Sequence, residues 1–116
     1  MATRSTISIK NSDGTISSIY SHWDGYLEGV GKILKENYND ENLARKILAQ
    51  GDVSSLASNL YESQFYNKDR GENTSAKVFT SIKDKNYKSS QQEYNYLFED
   101  NVWKVSLYDE MQFKIY

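Results

Sequence analysis

The sequence predicts an α+β domain: a single, mostly antiparallel β-sheet in the order ββ-ααα-βββ(β), with helices packed on one face. Three observations carry this expectation. Two alternating runs flank Asn11-Ser12-Asp13-Gly14, apolar residues recur at Leu27, Val30 and Leu34, and two more alternating runs flank Glu99-Asp100-Asn101. A period of two marks strands, and a period near about 3.6 residues marks a helix.

The first arm, Ile7–Lys10, meets the second, Ile16–Ser21, across a turn in which Asp13-Gly14 supplies positive φ. Ile16, Ser18 and Tyr20 share one face of the second arm; His22 continues that face and Trp23 the opposite one. Tyr26–Tyr38 follows as a helix with Leu27, Val30, Ile33 and Leu34 on its apolar side. Gly29 and Gly31 each cost such a helix about 1 kcal/mol relative to Ala, so they are expected to permit a close approach. Asn39-Asp40 caps a second helix, Glu41–Gln50, which Gly51 ends; Asp52 is expected to cap a third through Val53, Leu56, Ala57 and Leu60. Leu27, Val30, Leu34, Leu43 and Ile47 are expected to cover one face of the sheet.

Glu62–Thr74 is polar and reads as a long loop. Ala76–Ile82 alternates as a strand, and Asp84–Gln92 is a polar connection. Tyr94, Tyr96 and Phe98 form one arm of a hairpin and Trp103, Val105 and Leu107 the other, with Met111, Phe113 and Ile115 as a last strand. No internal repeat or linker divides the chain, so residues 1–116 are expected to form a single domain.

Composition narrows the chemistry. The 116 residues contain no cysteine, which excludes disulfides, iron–sulfur clusters and thiolate zinc sites, and a single histidine cannot build a His-rich metal site. With 14 Lys+Arg against 16 Asp+Glu the charge is nearly balanced. A duplex-DNA binder needs a basic excess to neutralise phosphates, so no duplex DNA is expected as a partner. No apolar run approaches the roughly 20 residues of a membrane span, and MATRSTISIK lacks the apolar stretch of a signal peptide. The expectation is a cytoplasmic protein with no membrane partner. Ten tyrosines suit recognition by stacking and hydroxyl hydrogen bonds.

Three clusters could carry function. Tyr20-Ser21-His22-Trp23-Asp24-Gly25-Tyr26 gathers an imidazole, an indole, a carboxylate and two phenols at a strand-to-helix junction. Trp23 or Tyr26 could stack on a ligand while His22 and Asp24 form hydrogen bonds; equally, Trp23 could anchor the core and Asp24 cap the helix. Asp69-Arg70-Gly71-Glu72 lies in the long loop, and Arg70, like Arg4, offers a planar fork to phosphate or carboxylate. Tyr94 and Tyr96 share a strand face that serves as core or as binding surface. Catalytic motifs are missing: there is no nucleophile elbow, and Gly29-Val30-Gly31-Lys32 is not a phosphate loop.

Met1-Ala2-Thr3-Arg4-Ser5-x-Ile7, Tyr20-x-His22-Trp23-Asp24-Gly25-Tyr26, Gly51-Asp52-x-Ser54-x-Leu56, Asp69-Arg70-Gly71-Glu72 and Glu93-Tyr94-Asn95-Tyr96-Leu97-Phe98 occur in that order. In these motifs the chain resembles a family of short, uncharacterised proteins encoded by bacteriophages and prophages. The resemblance runs from residue 1 to about residue 103, its YxHWDGY core is specific, and Leu107–Tyr116 is an extra tail. It implies a phage accessory protein acting in the host bacterial cytosol. The expected function is non-enzymatic binding that counters host defence, with a small nucleotide-like signalling ligand or a host defence protein as partner. Arg4, His22, Trp23, Asp24, Tyr26, Arg70, Glu72, Tyr94 and Tyr96 are the expected ligand-binding residues, with no catalytic residue, metal or cofactor. Arg70 would anchor an anion beside the Tyr20–Tyr26 junction, as one site. The alternatives are an interaction module for another host process, or a small metal-dependent hydrolase or nuclease using His22, Asp24, Asp69 and Glu72. A homo-oligomer is left open.

Overall fold

The protein is described by a computed structural model covering residues 2–108, 110 and 112–116. It is an α+β fold built on one mixed, mostly antiparallel sheet. The strands are β1 (Ser5–Lys10), β2 (Ile16–Ser21), β3 (Val53–Ser55), β4 (Gln64–Phe65), β5 (Lys77–Phe79), β6 (Tyr94–Glu99), β7 (Val102–Leu107) and β8 (Lys114–Ile115). Their order is β4-β3-β2-β1-β6-β7-β8, with β5 also paired to β2. The pairs β1–β6 and β2–β3 are parallel and the others antiparallel. The helices are α1 (Lys32–Asn37), α2 (Glu41–Ala49), α3 (Tyr66–Arg70) and α4 (Lys85–Ser89), with a π-helical turn, Leu27–Gly31, leading into α1.

The first hairpin forms as the alternation predicts. Asn11 C=O accepts the Gly14 N–H and Thr15 C=O the Asn11 N–H, so a three-residue loop closes with only Gly14 at positive φ. Its central face carries Ile7, Ile9 and Ile19 into the main core with Tyr96, Phe98 and Trp103. Val30, Leu34, Ala44 and Ile47 cover that face from the helices, whereas Leu27 is exposed. Trp103 Nε1 donates to Tyr38 C=O at 2.9 Å, satisfying a donor that burial would otherwise strand.

The opposite face has its own smaller core of Ile16, Phe79, Tyr87 and Leu97, so α4 packs on the side away from α1 and α2. Asp84, in the segment read as a mere connection, caps α4 by accepting the Asn86 N–H. The expected third helix does not form: Val53–Ser55 is strand β3, held parallel to β2 at Ser21↔Val53. The long loop contains β4 and α3. The last strand is confined to Lys114–Ile115, and Met111, also placed in it, lies outside the described residues. The tail joins the fold through Tyr116, whose ring meets Tyr96 edge-on and whose hydroxyl donates to Gly31 C=O at 2.6 Å.

Gly29 explains the π-helical turn. Asp24 C=O accepts the Val30 N–H at 2.8 Å, and a Cβ on Gly29 would lie 2.2 Å from that same oxygen. A side chain there must break the turn. Gly29→Ala would gain about 1 kcal/mol from helix propensity alone, yet the collision should reverse the sign and destabilise by roughly 1–3 kcal/mol. Urea denaturation reads this directly, and an unchanged or raised midpoint would contradict the packing.

Candidate functional site

The site begins with a division of the outer edge of β2. β5 pairs antiparallel with Ile16, Ser17 and Ser18, while β3 pairs parallel at Ser21. The β5 pairing stops at Ser18 and the β3 pairing lies at Ser21, so among the described residues no strand covers Ile19 and Tyr20 on that side. The Tyr20 N–H is satisfied instead by Asp52 Oδ1 at 2.9 Å. A cavity of about 310 Å³ opens at this gap.

Each wall comes from a different element. Ser18, Ile19 and Tyr20 of β2 and Thr6 of β1 line one side; Lys77 and Phe79 of β5 line another. Asp52 closes the edge, and Ser90 and Gln92, between α4 and β6, form the rim. The floor is polar but internally satisfied. Thr6 Oγ1 donates to Asn95 Oδ1 and Ser8 Oγ to Ser18 Oγ, each at 2.8 Å. Asn95 also accepts the Gln92 N–H at 2.8 Å and donates to Gln92 C=O at 2.9 Å, which sets the rim.

Asp52 is held from behind. Its N–H donates to Thr74 Oγ1 at 3.1 Å, and Asn67 Nδ2 donates to the carbonyls of Gln50 and Thr74. Gly51, at φ +82°, makes this possible: a Cβ there would lie 2.7 Å from Asn67 Nδ2 and from Thr74 Oγ1. The long loop is thus fastened to the residue that completes β2.

Tyr20 links the cavity to the predicted junction. Its Oη and His22 Nδ1 are hydrogen-bonded at 2.7 Å, and the His22 ring meets Trp23 edge-on at 4.7 Å. Burial pushes the Tyr20 phenol above the usual tyrosine range, while the Arg4 guanidinium acts on the same hydroxyl in the opposite sense. The Tyr66 N–H donates to Asp52 C=O at 3.3 Å, and Arg70 stacks on the Tyr66 ring at 4.9 Å. Asp52 and Tyr66 thus lie between Tyr20 and Arg70. Among the described residues no ion pair joins Arg70 to Asp24, and Glu72 is exposed, with its N–H on Tyr66 C=O.

Other expected site residues fall elsewhere. Tyr96 is fully buried and its hydroxyl donates to Gly25 C=O at 2.7 Å, so it is core and offers no ligand surface. Tyr94, half-buried, packs against the same core. Asp24 caps no helix with its side chain: it sits at φ 58° and contributes its carbonyl to the turn, while its carboxylate accepts a long 3.5 Å bond from Tyr26 Oη. Trp23 is no core anchor, being 42% exposed beside exposed Tyr26 and Leu27. The metal-dependent alternative required His22, Asp24, Asp69 and Glu72 to converge; among the described residues, no three His, Asp or Glu side chains are grouped to hold a metal ion.

Sequence reasoning missed Thr6, Ser18, Asp52, Lys77 and Phe79 as site residues. The strand alternation that places Lys77 and Phe79 on one side was visible, but not the strand they would meet. No family model, curated protein or solved structure matches the chain. Among the described residues, no helix is long and apolar enough to cross a membrane.

Asp52 should therefore matter to the fold through one hydrogen bond. Asp52→Ala leaves the Tyr20 N–H without its acceptor and should cost about 1–3 kcal/mol, with faster hydrogen exchange at the Tyr20 amide. Asp52→Asn keeps an acceptor oxygen and should stay close to wild type. Equal stability of the two variants would show that the bond to Tyr20 does not hold the edge.

Proposed function

We propose that this chain is a small binding protein whose cavity takes a nucleotide-like ligand, and that it acts in the host bacterial cytosol to counter defence by sequestering that ligand. The cavity at the β2 gap carries the reading. Its volume of about 310 Å³ sits at the lower end of the roughly 300–1,000 Å³ of small-molecule sites, which favours a mononucleotide-sized guest. Lys77 supplies a cation on the wall, and Arg4 a second beside the Tyr20 hydroxyl. The Tyr20 ring offers an aromatic surface, and base–aromatic stacking contributes about 1–3 kcal/mol. The Ser18 hydroxyl accepts from Ser8 and keeps its own proton for a ribose or phosphate oxygen, while Thr6 and Ser90, which donate to Asn95 and to Tyr87 C=O, can accept from a ribose hydroxyl. The biological role rests on the resemblance to short phage and prophage proteins.

A second reading has its own observation. Trp23, Tyr26 and Leu27 are large, exposed and nearly consecutive, the composition of a protein-binding hot spot. A host defence protein would then be the partner, docking at the junction outside the cavity.

Calorimetric titration with AMP, GMP, CMP and UMP, with ribose 5-phosphate as control, separates the two. At least one nucleotide should bind with micromolar affinity, Lys77→Ala should weaken it about tenfold, equivalent to ~1.4 kcal/mol, and Trp23→Ala should leave it unchanged. If none binds at millimolar concentration while Trp23→Ala abolishes protection of an infecting phage, the protein-partner reading replaces the first.

A further inference from the structure

The cavity has two chemically distinct ends. Lys77 stands opposite Ser18 in the β2–β5 register, and Asp52 is bonded to the Tyr20 N–H. Ser18 and Tyr20 are two residues apart on one strand face, about 7 Å along the chain, and the lysine stem adds reach. A cation and a carboxylate thus flank the opening from opposite ends of the gap.

The carboxylate is the more selective of the two. The bonds to Thr74 and Tyr20 fix Asp52 in place. An ionised carboxylate has about four acceptor positions and no donor, so one backbone N–H leaves most of its capacity open. Whatever a ligand places there must bring hydrogen-bond donors, and with Lys77 taking the phosphate at the other end of the gap those donors come from the base. Uracil has one N–H flanked by two carbonyls, which would face the carboxylate oxygens. Cytosine and adenine each set an amino group beside an acceptor ring nitrogen. Guanine alone among the common bases presents two adjacent donors, N1–H and the N2 amino group, at the spacing of two carboxylate oxygens.

We infer that the cavity selects a guanine mononucleotide, with Asp52 receiving N1–H and the N2 amino group and Lys77 pairing with the phosphate. This rests on the reading that the cavity takes a nucleotide. It adds that the residue bridging the split sheet edge is also the one that reads the base, so recognition and the completion of β2 use the same carboxylate.

GMP, IMP, AMP and XMP titrated into the wild-type protein and into Asp52→Asn test this. Wild type should bind GMP about tenfold to a hundredfold tighter than AMP, with IMP, which keeps N1–H but lacks the amino group, weaker than GMP. Asp52→Asn retains an acceptor for Tyr20 but presents an NH₂ donor to the ligand; it should weaken GMP and raise XMP, whose C2 carbonyl accepts, above it. Equal affinity of wild type for GMP and AMP, or GMP binding untouched by Asp52→Asn, overturns the guanine assignment and leaves the nucleotide reading standing. Absence of binding by every mononucleotide overturns both. If Asp52→Asn does not fold, as judged by its thermal transition, the wild-type order GMP over IMP over AMP decides alone.

Discussion

The structure depends on how the outer edge of β2 is shared. β5 approaches antiparallel along Ile16–Ser18 and β3 parallel at Ser21, so neither covers Ile19 and Tyr20. The edge would be left with an unpaired N–H at Tyr20, half-buried in the cavity wall, and a hydrogen bond to a charged group such as this contributes about 1.5–3 kcal/mol. Asp52 immediately precedes β3, so the pairing Ser21↔Val53 delivers its carboxylate to Tyr20 in register, one residue back on each strand. The same geometry opens a cavity, because a side chain fills the hydrogen-bonding role of a strand without filling its volume.

The junction after β2 is built on the same pairing. His22 N–H donates to Val53 C=O and Trp23 N–H to Ser54 C=O, so β3 guides the chain past the end of β2. Asp24 then turns at φ 58° and Gly25 N–H donates to Thr3 C=O. Gly25 lies against Ser5 so closely that a Cβ would be 2.8 Å from its Cβ. Tyr96 holds Gly25 C=O from the core. These backbone constraints account for Gly25 and for Tyr96; they leave Trp23 and Tyr26 outside, exposed, and His22 turned to Tyr20.

Much of this was legible where partners are close in sequence. The two hairpins follow from alternation, and α2 from its stripe and from Asp40, whose side chain accepts the Leu43 N–H. Where partners are distant, local patterns mislead. Val53, Leu56, Ala57 and Leu60 are spaced as a helix would be, yet pairing with a strand more than thirty residues earlier draws Val53–Ser55 into the sheet. The spacing around Asp52 predicts a helix cap, and its chemistry is that of a cap, a carboxylate oxygen accepting a backbone N–H; only the N–H belongs to β2. Tyr96 is ambiguous in sequence because a tyrosine on a strand face serves core or surface equally well, and its hydroxyl is fixed in the core by a carbonyl 71 residues away. α4 gave no apolar stripe because only Tyr87 of its five residues is buried.

The polar floor explains why the gap stays open. Thr6, Ser8, Ser18 and Asn95 are all buried on the face that carries Ile16 and Leu97. Larger apolar side chains in that row would fill the space beneath Phe79 and Tyr20 and extend the small core through it. Small hydroxyls leave room, and their mutual hydrogen bonds remove the penalty of burying them. Such a floor is hydrogen-bonded within itself, so the gap is compatible with a stable fold. The chemically distinct groups then stand at its margins: the cation on β5, the tyrosine ring, and the carboxylate that the sheet itself holds in position.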